Sequence, residues 1–412
     1  MLSSVCRAAA AAGLRGPMVV LARSAATDAG EGPRRTCLHD FHVRRGGRMV
    51  DFAGFLLPVQ YSEGMSASHR HVRQHSGLFD VSHMLQTEVR GRDRLSFLES
   101  LCVADLQALP DNGAALSVLT THSGGVVDDL VITKTPLGYV HLVSNAARRN
   151  EVCKLLAEAR EKWVAKGKDV VVRHYTPEDW ALLALQGPTA AAALQPLVDI
   201  DLTQLRFMTS SLAAVDGTER CRITRCGYTG EDGFEICVPA GIAESVSEQL
   251  LACKNGSVQL AGLGVRDSLR IEAGLCLYGA ELSEEISPIE AGLTWLVAKR
   301  RREAADFPGA SSILQQIRQG PARRRVGLRS QGAPARAGAH IVDLKGVPLG
   351  QVTSGCPSPS LGGNVAMGFV QAQAAKAGTR LHLMVRNKPV DAEVAKMPFV
   401  TTNYYTPDKK KK

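Results

Sequence analysis

From about residue 326 to 400 the chain breaks into short apolar, β-branched runs, among them RVGLRS, AHIVDL, VPLGQVTSG, VAMGFV and RLHLMVR, parted by glycine and proline. Runs of that length with turn-forming punctuation bury a face only by pairing with one another, so a small β-rich barrel or sandwich is expected there. Upstream the pattern is mixed. Segments 85–90, 126–133, 139–145, 169–173, 221–224 and 234–238 are strand-like, whereas 148–166, 188–197 and 241–253 carry apolar residues at helical spacing. The alternation lacks the regular strand-helix rhythm of a doubly wound sheet, which makes the fold class α+β, and 412 residues imply two or three domains. Between the two regions, KRRREAADFPGA, a helix-like SSILQQIRQ and GPARRR at 299–325 read as a linker.

A formal charge of +9 raises the question of a nucleic-acid partner. Its position answers it. Arg7, Arg15 and Arg23 lie in an opening stretch with no acid before Asp28, and lysines 409–412 end the chain, so the body between is close to neutral. The remaining basic runs at 299–302 and 323–325 read as solvated faces, and no nucleic-acid role is expected. The opening MLSSVCRAAAAAGLRGPMVVLARSAATDAG, rich in Ala, Ser and Arg, has the composition of a mitochondrial transit peptide, which sets residues 1–31 outside the fold. No apolar run approaches the roughly 18 residues that cross a bilayer, so no membrane insertion is expected. The ten cysteines include no C-x-x-C pair and read as reduced core thiols.

Three motifs carry candidate chemistry. In GGVVDDLVIT (124–133), Asp128 and Asp129 point to opposite sides if the backbone is extended, so one can face a cleft while structure holds the other. A carboxylate beside a cation-forming centre stabilises positive charge and accepts a proton; an exposed acidic turn would read the same way. In RCGYTGEDGFEICV (225–238), glycines at three-residue spacing suit tight turns beside a flat ligand, and Glu235 lies on the strand face opposite Phe234 and Ile236. In AGLGVRDSLRIEAGLCLYG (261–279), Asp267 occupies the third glycine position of a dinucleotide fingerprint, which excludes that reading. What remains is a helix from about Val265 with Arg266, Arg270 and Glu272 as polar points. Arg266 at its start suits a carboxylate or planar ring, and an intrahelical Arg/Glu pair is the plain alternative. His69, His71, His75 and His83 cluster without an H-E-x-x-H motif or partner carboxylate, so no metal site is expected.

Taken together, FDVSHM (79–84), GGVVDDL, LVSNA (142–146), ALQGP (184–188), CGYTGEDGFEI, RDSLRIEAG, SGCPSPSLGGNVAMGFV and KMPFVTTNYY resemble the aminomethyltransferase (T-protein) family of the glycine cleavage system, from about residue 35 to 405. The resemblance implies a three-domain cloverleaf with a central folate channel and a C-terminal β-barrel. It implies a folate-binding catalytic region of two interleaved α+β domains at 32–298, the barrel at 326–405 and a basic tail at 406–412. Tetrahydrofolate would be the acceptor substrate, with no metal. Lipoylated H-protein would be the partner, P-protein and L-protein would be met indirectly, and the mitochondrial matrix would be the location. The family's catalytic aspartate falls on Asp129, and its folate contacts fall on Glu235, Arg266 and Tyr404, with Val143, Asn145 and Met84 also at the folate. Phe55, Cys37 and His39 depart from the usual residues at positions that concern packing. The alternative implied by shared architecture is a non-catalytic folate-binding factor of iron-sulfur assembly, whose K-G-C-Y-x-G-Q marker is here R-C-G-Y-T-G-E-D.

Overall fold

The computed structural model describes residues 32–407, so the expected transit peptide and the last residues of the basic tail, 408–412, lie outside the described residues. The β-branched, turn-bounded runs form strands close to their expected limits: Leu85–Arg90, Val126–Lys134, Tyr139–Ser144, Val171–His174, Thr218–Arg225 and Gly233–Pro239. They belong to two different sheets. Leu85–Arg90 lies between Tyr139–Ser144 and the edge strand Val171–His174, and on the other side of Tyr139–Ser144 follow Val126–Lys134 and Ala114–Thr120, all antiparallel. Helices Arg94–Glu99 and Arg149–Val164 pack on this five-stranded sheet and bury Phe97, Leu98, Val152 and Leu156 against Leu85, Val89, Leu130 and Ile132.

The second sheet has six strands in the order Thr209–Val215, Thr218–Arg225, Gly233–Pro239, Trp180–Gln186, Ser76–Asp80 and Val258–Leu260. Only the last pair is parallel among these contacts. Its central strand WALLALQ is an almost unbroken apolar run because both its faces are covered. Leu183, Leu185, Phe234 and Ile236 pack toward Ala190–Leu194 and Ala243–Ala252, whereas Leu182, Ala184 and Cys237 pack toward Met65–Gln74 and Leu263–Glu272. Ser76–Asp80 pairs directly with Trp180–Gln186, yet the whole five-stranded unit comes between them in the chain. Residues 85–174 are thus inserted into the six-stranded unit, and FDVSHM is the crossing point.

The C-terminal runs close into a six-stranded barrel, ordered Arg323–Ser330, Gly363–Gln371, Pro348–Ser358, His340–Val342, Arg380–Val385 and Lys388–Ala395. Val326, Leu328, Ile341, Val352, Val370, Leu381, Leu383 and Val394 fill it. The expected linker at 299–325 is corrected by the structure. It holds helices Lys299–Ala304 and Ala310–Gln319 and the start of the first barrel strand. Its basic composition misleads because Arg301 is fully buried: the guanidinium donates to the carbonyls of Glu99 and Cys102 and pairs with Asp306, while Phe307, Ala310 and Ile313 join an apolar core with Val118 and Val126 of the inserted sheet.

Helix Leu263–Glu272 meets all three units. Arg270, 2% exposed, donates to Asp267 (2.9 Å), to the fully buried Glu281 (2.8 Å) and to Ser354 of the barrel (2.7 Å). Glu272, also fully buried, accepts from Arg73 (2.9 Å) and Ser360 (2.8 Å) and meets His69 Nε2 at 3.1 Å. Neither residue uses the other, so the intrahelical Arg/Glu pair does not form. A buried charge stripped of its partner is strongly destabilising. Arg270→Met, which leaves Glu281 uncompensated, is expected to lower the unfolding free energy by about 3–5 kcal/mol in urea titrations, and Arg270→Met/Glu281→Met to recover a large part of that loss.

Candidate functional site

The acidic pair is positioned by what glycine permits. A side chain on Gly125 would place Cβ 1.7 Å from the Glu284 carbonyl oxygen, so only glycine lets residues 283–286 lie against the start of the Val126–Lys134 strand. There the Val126 N–H donates to Ser283 (2.9 Å) and Ile286 (3.1 Å) carbonyls. Two residues on, Asp128 is fully buried and Asp129 half-buried. Strand alternation suggests separate surroundings for them, yet one residue reaches both. Asn145 follows Ser144, which is paired with Leu130, so its amide meets the Asp128–Asp129 segment end-on. Its Nδ2 donates to Asp128 Oδ1 and Asp129 Oδ1, each at 2.8 Å, and its backbone N–H to Asp128 Oδ2 at 2.9 Å. Both carboxyls are held above the usual carboxylate range, by burial first; for Asp128 the charge of Asp129 adds to this, and the Asn145 donors oppose it.

Glu235 lies on Gly233–Pro239 between Ala184 and Thr224 of the neighbouring strands, on the face that carries Cys237 and opposite the buried Phe234 and Ile236. Burial raises its pKa, while Arg266 and Cys226 oppose the rise. Arg266, in the first turn of Leu263–Glu272, lies over the Tyr228 ring at 4.7 Å from its centroid. Its Nη1 is shut off from water and has no hydrogen-bond partner, and burial lowers its pKa against the pull of Glu235. A desolvated guanidinium nitrogen without an acceptor is costly in a finished core and useful in a binding cleft. Tyr228 donates its hydroxyl to the Cys276 carbonyl, and both Tyr228 and the Cys276 thiol feel the charge of Asp129. Tyr228 thus packs under Arg266 and lies within electrostatic reach of Asp129, a position that its place between Gly227 and Gly230 signals only as a turn.

Val143 is buried and Met84 partly so, in an apolar cluster with Val81, Leu182, Val265 and Leu269 where the two sheets meet the helix. Tyr404 approaches from a different side. It stacks on Phe207 with centroids 4.1 Å apart, and burial raises its pKa with Arg73 and Glu231 as charged neighbours. Its neighbour Asn403 donates to the Gly230 carbonyl (2.8 Å) and to Glu231 (2.7 Å), which fixes the C-terminal segment on the glycine turn that carries Tyr228. Asp129 is thus bonded to Asn145 and Glu235 charge-coupled to Arg266, with Tyr228 within reach of Asp129 and Arg266, Val143 and Met84 as apolar wall and Tyr404 beyond the turn. The Arg73, Glu231 and Asn403 contacts beneath Tyr404 carry no local sequence signal, since the partners are far apart in the chain. Of the histidines, His69 is held by Glu272 and Ser268, and burial lowers His83 to about 4. Among the described residues no group of three or more His, Cys, Asp or Glu is placed to hold a metal.

Such a set can exchange a proton near neutral pH, hold a flat polar ring and offer a cation to a carbonyl or carboxylate. Two family models match the chain: the GCVT N-terminal domain over residues 38–301 and the glycine cleavage T-protein C-terminal barrel domain over 323–401. The mitochondrial aminomethyltransferase of Homo sapiens is 51% identical over 373 residues, covering 90% of this chain and 91% of its own. That of Gallus gallus is 50% identical over 405 residues, covering 98% and 99%. The crystal structure of glycine cleavage system aminomethyltransferase T from Bartonella henselae, 37% identical, superposes with a TM-score of 0.84 over 91% of this chain and all of that one. These relatives give the non-catalytic alternative no support.

A carboxyl whose folded pKa lies above its unfolded value binds more protons when folded, so it lowers stability as pH rises from about 4 toward neutrality. Asp129→Asn keeps an acceptor for Asn145 and removes that burden. It is expected to raise the stability at pH 7.5 by about 1 kcal/mol in urea titrations, with the gain vanishing near pH 4.

Proposed function

Because the chain belongs to the glycine cleavage T-protein family, we propose that it transfers the methylene carbon of an S-aminomethyl group, carried on the lipoyl arm of H-protein, to tetrahydrofolate. The products are 5,10-methylenetetrahydrofolate, ammonia and the dihydrolipoyl arm. The observation that supports the reading is an acceptor-less buried guanidinium, Arg266, stacked on Tyr228, a ring that also lies within electrostatic reach of the raised Asp129 carboxyl. In the overall balance the carbon loses its bonds to sulfur and nitrogen and gains two to folate nitrogens. The two N–H protons that folate gives up are those gained by the thiol and by ammonia.

Asp129 orients the attacking folate nitrogen, offsets positive charge on the migrating carbon and accepts the released proton. Arg266 and Glu235 bind polar edges of the folate, Asn145, Val143 and Met84 lie along the pterin, and Tyr404 completes the binding surface. H-protein is the direct partner, with P-protein and L-protein met through it. The relatives' mitochondrial names and the composition of residues 1–31 support a place in the mitochondrial matrix.

Formation of methylenetetrahydrofolate from aminomethylated H-protein is the direct assay. Asp129→Asn is expected to lower kcat by about 10²–10⁴-fold while folate affinity stays within a few-fold; weakened folate binding with normal turnover of bound substrate would refute the role. Arg266→Gln is expected to weaken tetrahydrofolate binding by about tenfold in calorimetric titrations, one lost charge-assisted contact.

A further inference from the structure

The transfer as described leaves one carboxylate without a task. Asp128 is fully buried, and both its oxygens accept from Asn145: Oδ2 from the backbone N–H at 2.9 Å and Oδ1 from Nδ2 at 2.8 Å. The same Nδ2 stands 2.8 Å from Asp129 Oδ1 and 3.1 Å from the Asp129 carbonyl. An amide nitrogen has two hydrogens, so three acceptors compete for them and two carboxyls meet at one atom.

The charged and titratable groups around the pair do not neutralise it. Arg148 is the cation toward Asp128, but its Nε donates to the Val127 carbonyl (2.9 Å), its fork pairs with Glu284 and Glu151, and its plane lies over the Tyr278 ring at 4.9 Å. Tyr278 feels Asp128, and Tyr228 and Cys276 feel Asp129; these are groups that stay neutral at physiological pH. Arg266 stands beyond Tyr228, over its ring. Like charges packed together without a bonded cation favour the uptake of a proton, and here burial acts in the same direction on both carboxyls.

We infer that Asp128 is a positioning residue for the transfer: it fixes the Asn145 amide that aims Asp129, and its charge lets the pair hold the proton that moves during the reaction. The role rests on the aminomethyl-transfer reading above. As the new C–N bond forms, the folate N–H proton passes to the Asp129 carboxylate. As the old C–N bond breaks, that proton passes to the nitrogen leaving as ammonia, and Asp129 is again ionised. Asp128 touches neither reactant.

The test is the pH dependence of kcat and of KM for tetrahydrofolate in the full-length Asp128→Asn variant, with aminomethylated H-protein as donor. The expected result is an acid limb of kcat moved down by about one pH unit, kcat at pH 7.5 reduced about tenfold, and KM within about twofold. A uniform loss across pH with an unmoved limb, or no loss, would overturn the proposal. Should Asp128→Asn not fold, carbon-13 NMR titration of aspartate-carboxyl-labelled wild type and Asp129→Asn replaces it. A carboxyl that titrates above the usual range in wild type, and about one unit lower once Asp129 is gone, supports the coupling; two independent titrations in the ordinary range exclude it. Full turnover by Asp129→Asn would instead bring down the transfer reading, whatever the limb of the Asp128 variant does.

Discussion

Three charges on one ten-residue helix hold this molecule in register. Arg266, Arg270 and Glu272 project from Leu263–Glu272 where water is scarce, and each turns to a different part of the chain. Arg270 reaches Glu281 and the barrel strand Pro348–Ser358; Glu272 reaches the Met65–Gln74 helix and the loop after that strand; Arg266 faces the Gly227–Gly230 turn. Apolar contacts such as Ile271 against Val365 and Met367 tolerate small slips between units, whereas buried ion pairs do not. The helix therefore ties the barrel to the six-stranded unit.

Within that frame the site is built by withholding partners. Elsewhere in the core, Arg225 pairs with Asp232 and two carbonyls, and Arg301 with Asp306 and two carbonyls. At the candidate site the pattern differs. Arg266 keeps a nitrogen unengaged, and two carboxyls divide one amide between them. Both arrangements carry a stability burden, the pattern expected where polar groups are kept for a ligand rather than for the fold.

How much of this was legible in the sequence depended on the range of each interaction. The strands showed because β-branched runs bounded by turn residues are a local signal, and the barrel because its runs follow one another without an intervening α-helix; the continuous WALLALQ even records burial on both faces. Asp129, Asn145, Glu235 and Arg266 were singled out by family resemblance, and Glu235's strand face also by alternation. What did not show was every feature whose partners are distant in the chain. Basic residues 299–302 look solvent-facing until Glu99 and Cys102 arrive, some 200 positions away, to accept from Arg301. The Arg/Glu spacing of the central helix looks like a local pair until Glu281, Arg73 and His69 claim its members. Asp128 looked like a structural neighbour because alternation hides that one asparagine, past the end of the next strand, serves both acids.

The insertion of residues 85–174 has a consequence for how the chain reaches this state. Ser76–Asp80 and Trp180–Gln186 are bonded neighbours separated by about a hundred positions, and pairing them around an unstructured segment of that length carries a loop-closure penalty and slow, non-local search. The inserted unit removes most of that distance by itself, because its first and last strands lie side by side, with Thr87 opposite His174. Once it has collapsed, its two ends emerge together and the outer strands are joined by what is effectively a short hairpin. The carboxyl pair Asp128–Asp129 thus lies on the part that can close on itself, and Arg266 on the part that joins around it.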